Sequence, residues 1–286
     1  MTAVDAVTAE QPFERREPWL RSMADFYWTA MRTQMQTRIQ YRASTYGYMV
    51  GMLAEPTIYL VVWSTIARSR GGTVGGLDAG HFAAYYIVWT VVRVMNLTFT
   101  PYGWEWRIRE GQLSGWLVRP IHPIHYDLAW FAGTKLPWFV MYLPVGVGLT
   151  LVFHPVFHAS VLSAIVFLVA IWGAYVVRSI GLWLLGLCTF WTTRASAIFE
   201  TYMLAELLLS GRLLPLQLMP HWSQTLAAFL PFKWTFYFPI EALIGGYSTG
   251  TLLRGLGLQL AWIVGGALAV RLFWRASTKR YTAVGN

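Results

Sequence analysis

Long apolar runs alternate along this chain with short charged or proline- and glycine-punctuated stretches, and the runs have the length of membrane-crossing helices. Residues 136–177 contain no Asp, Glu, Lys or Arg, about twice the ~20 residues a helix needs to cross a ~30 Å hydrocarbon core. Two spans fit there, with His154-Pro155-Val156-Phe157-His158 as the turn. The pattern predicts six spans: 46–67, 81–102, 128–153, 161–191, a fifth from about Ala195 to Leu214-Pro215, and 252–274. Glu55-Pro56 predicts a kink in the first, because proline frees backbone groups that a neighbour must satisfy. Residues 216–246 are apolar yet broken by Pro220, Pro231 and Pro239. Each internal proline removes a hydrogen bond and adds a clash, so two half-inserted helices, 221–229 and 234–244, are expected there rather than a span.

Residues 1–18 carry scattered charges without apolar periodicity and read as a flexible tail. Over 19–43, Met23, Tyr27, Met31 and Met35 recur every fourth residue among Arg21, Arg32, Arg38 and Arg42. That is the pattern of a basic amphipathic helix lying in the interface, or of a helix packed on a partner. The stretch 68–80 contains GGTVGG and reads as a flexible connector, and Thr192-Thr193-Arg194 as a minimal loop. No cleavable signal pattern precedes the first run, which is expected to stay as an anchor. Lys and Arg gather on the side holding both tails, the stretch 105–123 and Arg194, so both termini are expected in the cytoplasm.

Composition agrees with the membrane reading: 56% hydrophobic and only 12% charged residues, with mean hydropathy +0.45. The net charge of +9 comes from basic residues that flank apolar runs, which suits a membrane surface and excludes a nucleic-acid patch. The single cysteine, Cys188, excludes an intrachain disulfide. No G-x-x-x-x-G-K-[ST], H-E-x-x-H or G-x-S-x-G is present, so nucleotide hydrolysis by a phosphate loop and hydrolase chemistry are excluded by those routes. The pairs His122/His125 and His154/His158 lack an acidic or thiol third ligand, so no metal or cofactor is expected in this chain.

Charges inside spans are costly and mark either helix pairing or a polar path. Glu55, Arg93, Arg178, Glu200 and Glu206 are the candidates. Pairing of Glu55 with Arg93 or Arg178 is one reading; a translocation path lined by Glu55, Arg93 and Arg178 is the other. The tryptophans read either as an interfacial belt or as a cage for aromatic or cationic cargo.

The stretch 105–123 is the longest charged interruption. Glu105, Arg107, Arg109 and Glu110 supply charge, Gly111 breaks the helix, and Leu113-Ser114-Gly115-Trp116-Leu117-Val118 offers an apolar face before Arg119-Pro120 ends it. A short helix with an apolar face and charged rim suits docking into a groove of a soluble partner. Glu105, Arg107, Glu110, Leu113, Trp116 and Arg119 are the expected contact residues.

The run from Arg109 to Pro120 resembles the G-x-L-x-x-x-L-x-R-P segment of ABC-2 type transporter permeases, most nearly the viologen-exporter-like branch. Ser210-Gly211-Arg212-Leu213-Leu214-Pro215 with Met219-Pro220 and Leu230-Pro231-Phe232 is similar to that family's pattern after the fifth span. The resemblance implies an all-α membrane domain over 46–275 with a connecting helix at 19–43, a re-entrant hairpin at 216–246 and a cytoplasmic tail at 276–286. It implies a coupling helix at 105–123 docked on two cytoplasmic ATPase subunits, which hold the ATP and Mg, and a second permease, identical or related. It further implies a multi-pass protein of a prokaryotic plasma membrane that exports a hydrophobic or cationic small molecule or a lipid. A secondary carrier and a membrane-embedded lipid-modifying enzyme are the alternatives, the first needing inverted repeats and the second a catalytic cluster.

Overall fold

Eleven α-helices and one small hairpin make up the described residues, which in this computed structural model are 18–69, 72–192 and 195–281. In chain order they are α1 (Trp19–Gln40), α2 (Arg42–Ser69), β1 (Thr73–Val74), β2 (Leu77–Asp78), α3 (Ala79–Met95), α4 (Pro101–Arg109), α5 (Leu113–Leu117), α6 (Pro123–Phe153), α7 (Val161–Leu187), α8 (Ala195–Leu209), α9 (His221–Phe229), α10 (Tyr237–Ile244) and α11 (Thr249–Thr278). Among the described residues, four stretches are long and apolar enough to cross a membrane: Ala43–Ser69, Pro123–Phe153, Val161–Phe190 and Thr249–Thr278. This is an all-α membrane architecture. The expected tail 1–18 and the loop residues Thr193 and Arg194 lie, Pro18 and Thr192 apart, outside the described residues.

The second and fifth expected spans are shorter than the pattern predicts. α3 has 17 residues and α8 has 15, about 26 and 22 Å at 1.5 Å per residue. α3 stops at Met95, where the Asn96 amide closes the last turn on the Val92 carbonyl at 2.9 Å. The chain then runs non-helical until Pro101 opens α4 at the position proline favours. α8 gives way to Gly211, whose φ of +81° is the left-handed conformation glycine adopts without strain.

Within the stretch 68–80, expected as a flexible connector, residues 73–78 form an antiparallel hairpin instead, Thr73 opposite Asp78 and Val74 opposite Leu77, while Arg70 and Gly71 lie outside the described residues. Gly75 and Gly76 have φ of +57° and +85°, the positive values a two-residue type I′ turn demands at both central positions. Asp78 then caps α3, its carboxylate accepting the His81 amide at 2.7 Å.

α1, read either as an interfacial helix or as one packed on a partner, packs on α6 of its own chain. The Tyr27 hydroxyl meets His125 Nδ1 at 2.9 Å, Gln34 is buried, and a Cβ on Gly133 would stand 2.4 Å from the Met31 carbonyl oxygen. Its other face exposes Trp19, Leu20, Trp28 and Ile39, as an interfacial helix would. α7 and α11 approach through small residues: Gly266 lies against Ile180, and Gly173 against Gln259, whose amide donates to the Ala170 and Trp234 carbonyls at 2.9 and 3.0 Å. Close approach at small residues and hydrogen bonds between helices are the usual glue of membrane bundles. The two short helices expected within 216–246 are α9 and α10. α10 starts at Tyr237 because Pro231–Trp234 forms a 3-10 turn, and α10 is buried almost throughout, against α7 and α3.

Candidate functional site: a buried charge cluster and the segment at one end of the bundle

Four of the five charged residues that sequence reasoning placed inside spans, Glu55, Arg93, Arg178 and Glu206, do meet, and they gather Arg212. Arg93 on α3 donates to Glu55 Oε2 on α2. Arg178 on α7 pairs with Glu206 on α8, and not with Glu55: Nε to Oε1 is 2.7 Å and NH2 to Oε2 is 3.0 Å, while NH1 donates to the Asn96 carbonyl at 2.7 Å. Arg212 joins the two pairs, its NH2 3.2 Å from both Glu55 oxygens and its NH1 3.7 Å from Glu206 Oε2. A cavity of about 230 Å³ opens among Arg93, Asn96, Thr98, Arg178 and Arg212.

Local backbone chemistry positions Arg212. The left-handed turn at Gly211 swings the chain back toward α3. There the hydroxyls of Tyr85 and Tyr86 donate to the Gly211 and Leu213 carbonyls at 2.6 and 2.9 Å. The Tyr237 amide takes the Ser210 carbonyl at 2.9 Å. Sequence reasoning saw this SGRLLP run as a family pattern and missed the role of its arginine, because a loop residue carries no periodicity. It also missed Lys135, which is 2% exposed and donates to the Leu97 carbonyl beside the Tyr175 ring, and Asp127. Glu200 stays exposed on α8, away from the cluster.

The segment 105–123 divides by exposure. Leu113 is 0% exposed within a cluster containing Trp104, Trp183 and Val270. Arg107 is buried and bidentate to Asp127 on α6 at 2.9 and 2.6 Å, and the same carboxylate accepts the Trp183 indole N–H at 2.9 Å. Trp116 is half-buried between the guanidiniums of Arg107 and Arg119, 4.6 and 4.4 Å from its ring centre. Leu113, Arg107 and Trp116, expected as contacts for a partner, therefore fasten the segment to its own bundle. Glu105 is half-buried, whereas Glu110, Arg119 and Pro120 are exposed. Val118 is 84% exposed, and Leu117 39%. Gly111 breaks the helix as expected, with φ of +63°.

Close packing accounts for the buried tryptophans, whereas Trp19, Trp28, Trp106, Trp130, Trp172, Trp191 and Trp222 are exposed. Trp89, Trp104 and Trp183 are fully buried, and the cations over Trp rings belong to the protein itself, such as Arg93 over Trp89 at 5.2 Å. Trp104 fits only because Gly186 has no side chain: a Cβ there would lie 1.8 Å from its ring.

Comparison with curated proteins gives no match. The sequence profile of the family described as "ABC-2 family transporter protein" matches residues 53–285, from the middle of α2 through α11. With most of the chain matched, on a frame of apolar helices of membrane length, the chain belongs to the ABC-2 family of transporter proteins.

Proposed function

We propose that this chain is the transmembrane permease subunit of an ATP-driven exporter in a prokaryotic plasma membrane. α2, α3, α6, α7, α8 and α11 serve as its six spans, α9 and α10 as a re-entrant hairpin on the far side, and both termini lie in the cytoplasm. Two cytoplasmic ATPase subunits supply ATP and Mg, and a second permease completes the path. The cargo is a hydrophobic or cationic small molecule or a lipid. Alternation of the ends supports this topology: the first turn of α3 and the turn after α6 meet through the Val156 amide on the Gly80 carbonyl at 3.1 Å. The α4–α5 segment instead packs with the first residues of α6 and the last turns of α7 and α11.

The observation that carries the proposal is the exposed tip of Leu117, Val118, Arg119 and Pro120 on a fastened base. An apolar knob with a cationic rim, held so that it loses little freedom on docking, is what a partner's cleft captures well. ATP binding drives transport through it only by differential contact with two states of the permease. The test is co-purification of an ATPase with the tagged chain from gently solubilised membranes. Val118→Asp with Leu117→Asp is expected to abolish the association and leave insertion and thermal stability unchanged. Full association of that variant would remove the tip from the interface. Ion-gradient transport by the purified chain alone would overturn the permease-subunit reading.

A further inference from the structure

Three guanidiniums line the cavity of about 230 Å³, and the two carboxylates that pair with them, Glu55 and Glu206, stand outside its lining, so the cluster carries an excess of one positive charge. Uncompensated charge in a low-dielectric interior is costly, and a bound counter-charge relieves it. The arginines are also incompletely used. Arg212 Nε is buried without a hydrogen-bond partner, and its contacts with Glu55 both come from one nitrogen. Guanidinium edges match phosphate and carboxylate oxygens in shape and charge. The cavity is smaller than the ~300–1,000 Å³ of sites that enclose whole drug-sized ligands, so it suits a head group whose tail stays outside.

We infer that the cavity among Arg93, Arg178 and Arg212 binds an anionic head group, a phosphate or carboxylate, carried by an amphiphile that the permease moves. The inference rests on the permease reading and narrows its cargo. The cationic cargo that the tryptophan content allowed is disfavoured, because a cation would meet the excess positive charge and the buried Trp faces are already taken. Glu55 sets the strength of the site. Paired with both Arg93 and Arg212, it holds part of their charge, so neutralising it exposes more of that charge to the ligand.

The test uses the full-length purified chain in phosphatidylcholine nanodiscs, titrated with dodecyl phosphate and, in parallel, dodecyltrimethylammonium, with intrinsic tryptophan fluorescence as readout. Dodecyl phosphate is expected to saturate and the ammonium probe not to. Arg212→Gln is expected to weaken dodecyl phosphate about tenfold, from the loss of one charge-assisted contact, and Glu55→Gln to strengthen it about threefold, from the release of charge that Glu55 holds on Arg93 and Arg212. The opposite signs separate a binding role from a structural one, and a thermal melt of each variant in the same discs reports its fold. Should one variant fail to fold, the sign of the other decides. Equal binding of both probes, or variants that shift affinity in the same direction, would overturn the inference. Repeating the titration in discs with equal parts of phosphatidylglycerol identifies the source: competition assigns the site to a membrane phospholipid, and unchanged affinity to a free amphiphile. Failure of anion binding with ATPase association intact sinks this inference alone, whereas loss of ATPase association with anion binding intact sinks only the permease-subunit reading.

Discussion

Replacing Arg178 by leucine tests how the charge cluster is held. The guanidinium makes three hydrogen bonds, two to Glu206 at 2.7 and 3.0 Å and one to the Asn96 carbonyl at 2.7 Å. Glu206 is 0% exposed, and its nearest remaining cation would be Arg212 at 3.7 Å, beyond a good charge-assisted hydrogen bond. Breaking a buried pair from one side leaves a desolvated charge, at a cost of about 3–5 kcal/mol. Leucine replaces the stem volume, so little packing is lost. Removing both charges in Arg178→Leu/Glu206→Leu leaves the Asn96 carbonyl short of a donor, about 1–3 kcal/mol, and takes the weaker of two carboxylate contacts from Arg212, which keeps Glu55 at 3.2 Å. The double variant is therefore expected to be more stable than Arg178→Leu alone, with a coupling energy of at least ~1 kcal/mol. Denaturant unfolding in mixed micelles, followed by tryptophan fluorescence, measures the cycle. Additive single and double costs would refute the argument, because they would show that Glu206 finds its charge balance elsewhere.

Further predictions concern the surroundings of the cluster. Gly133→Val is expected to lift α1 from α6, because the new Cβ would stand 2.4 Å from the Met31 carbonyl oxygen and 2.7 Å from its Cα. The overpacking costs about 1–3 kcal/mol, and tryptic cleavage at Arg32 and Arg38 should accelerate; an unchanged digestion pattern would contradict the packing. His122, at the start of α6, gives a pH dependence. Burial, helped by His125 and Arg271, pushes its imidazole from the ordinary 6.5 down to about 4. Between those values the unfolded chain binds the extra proton, so stability present above about 6.5 is lost as pH falls toward 4. His122→Asn, which keeps a capping side chain, should flatten that part of the stability profile, and an unaltered slope would assign it to another group.

How far the sequence reaches into this structure depends on whether a feature is written as periodicity. The four long spans, the break at Gly111 and the two short helices after α8 follow directly from apolar runs, glycine and proline. The ends of α3 and α8 do not, because Leu97, Phe99, Leu213 and Leu214 prolong the apolar pattern past the points where Asn96 and Gly211 stop the helices. Reading GGTVGG as a linker failed for a specific reason. Two adjacent glycines with β-branched neighbours also spell a type I′ hairpin, and packing of Gly75 on Leu218 selects it. For the cluster, Glu55 with Arg93 was legible as a pair of opposite charges in adjacent spans. The partner of Arg178 was not, since it depends on how α8 lies against α7, and Arg212 reaches the site only by the left-handed turn before it. Leu113 and Trp116, read as docking anchors, pack on their own bundle, and an apolar face on a five-residue helix looks the same in sequence whether it meets a partner or its own bundle.

The segment 105–123 and the charge cluster share one helix, α7, and this makes Asp127 the residue on which a relay between them can be tested. Asp127 ties Arg107 of α4 to Trp183 of α7, and Arg178 lies five residues before Trp183 on the same helix. On the proposed reading, a push on the exposed tip reaches α7 through this carboxylate. Spatial intermediacy is no proof of coupling, so the variant must break the link without unfolding the protein. Asp127→Asn keeps an acceptor for the Trp183 indole but strands the buried Arg107 guanidinium, at a cost of about 3–5 kcal/mol. Adding Arg107→Met removes the stranded charge at similar length and should restore the fold. In that double variant, with the tip of Leu117 and Val118 untouched, ATPase association is expected to persist. Cargo-dependent stimulation of hydrolysis should fall by about tenfold, the ~1.4 kcal/mol scale of a typical coupling energy. Full stimulation in the folded double variant would mean that the push travels by another route, with the Leu113 and Trp104 contacts on α7 and α11 as the remaining connection.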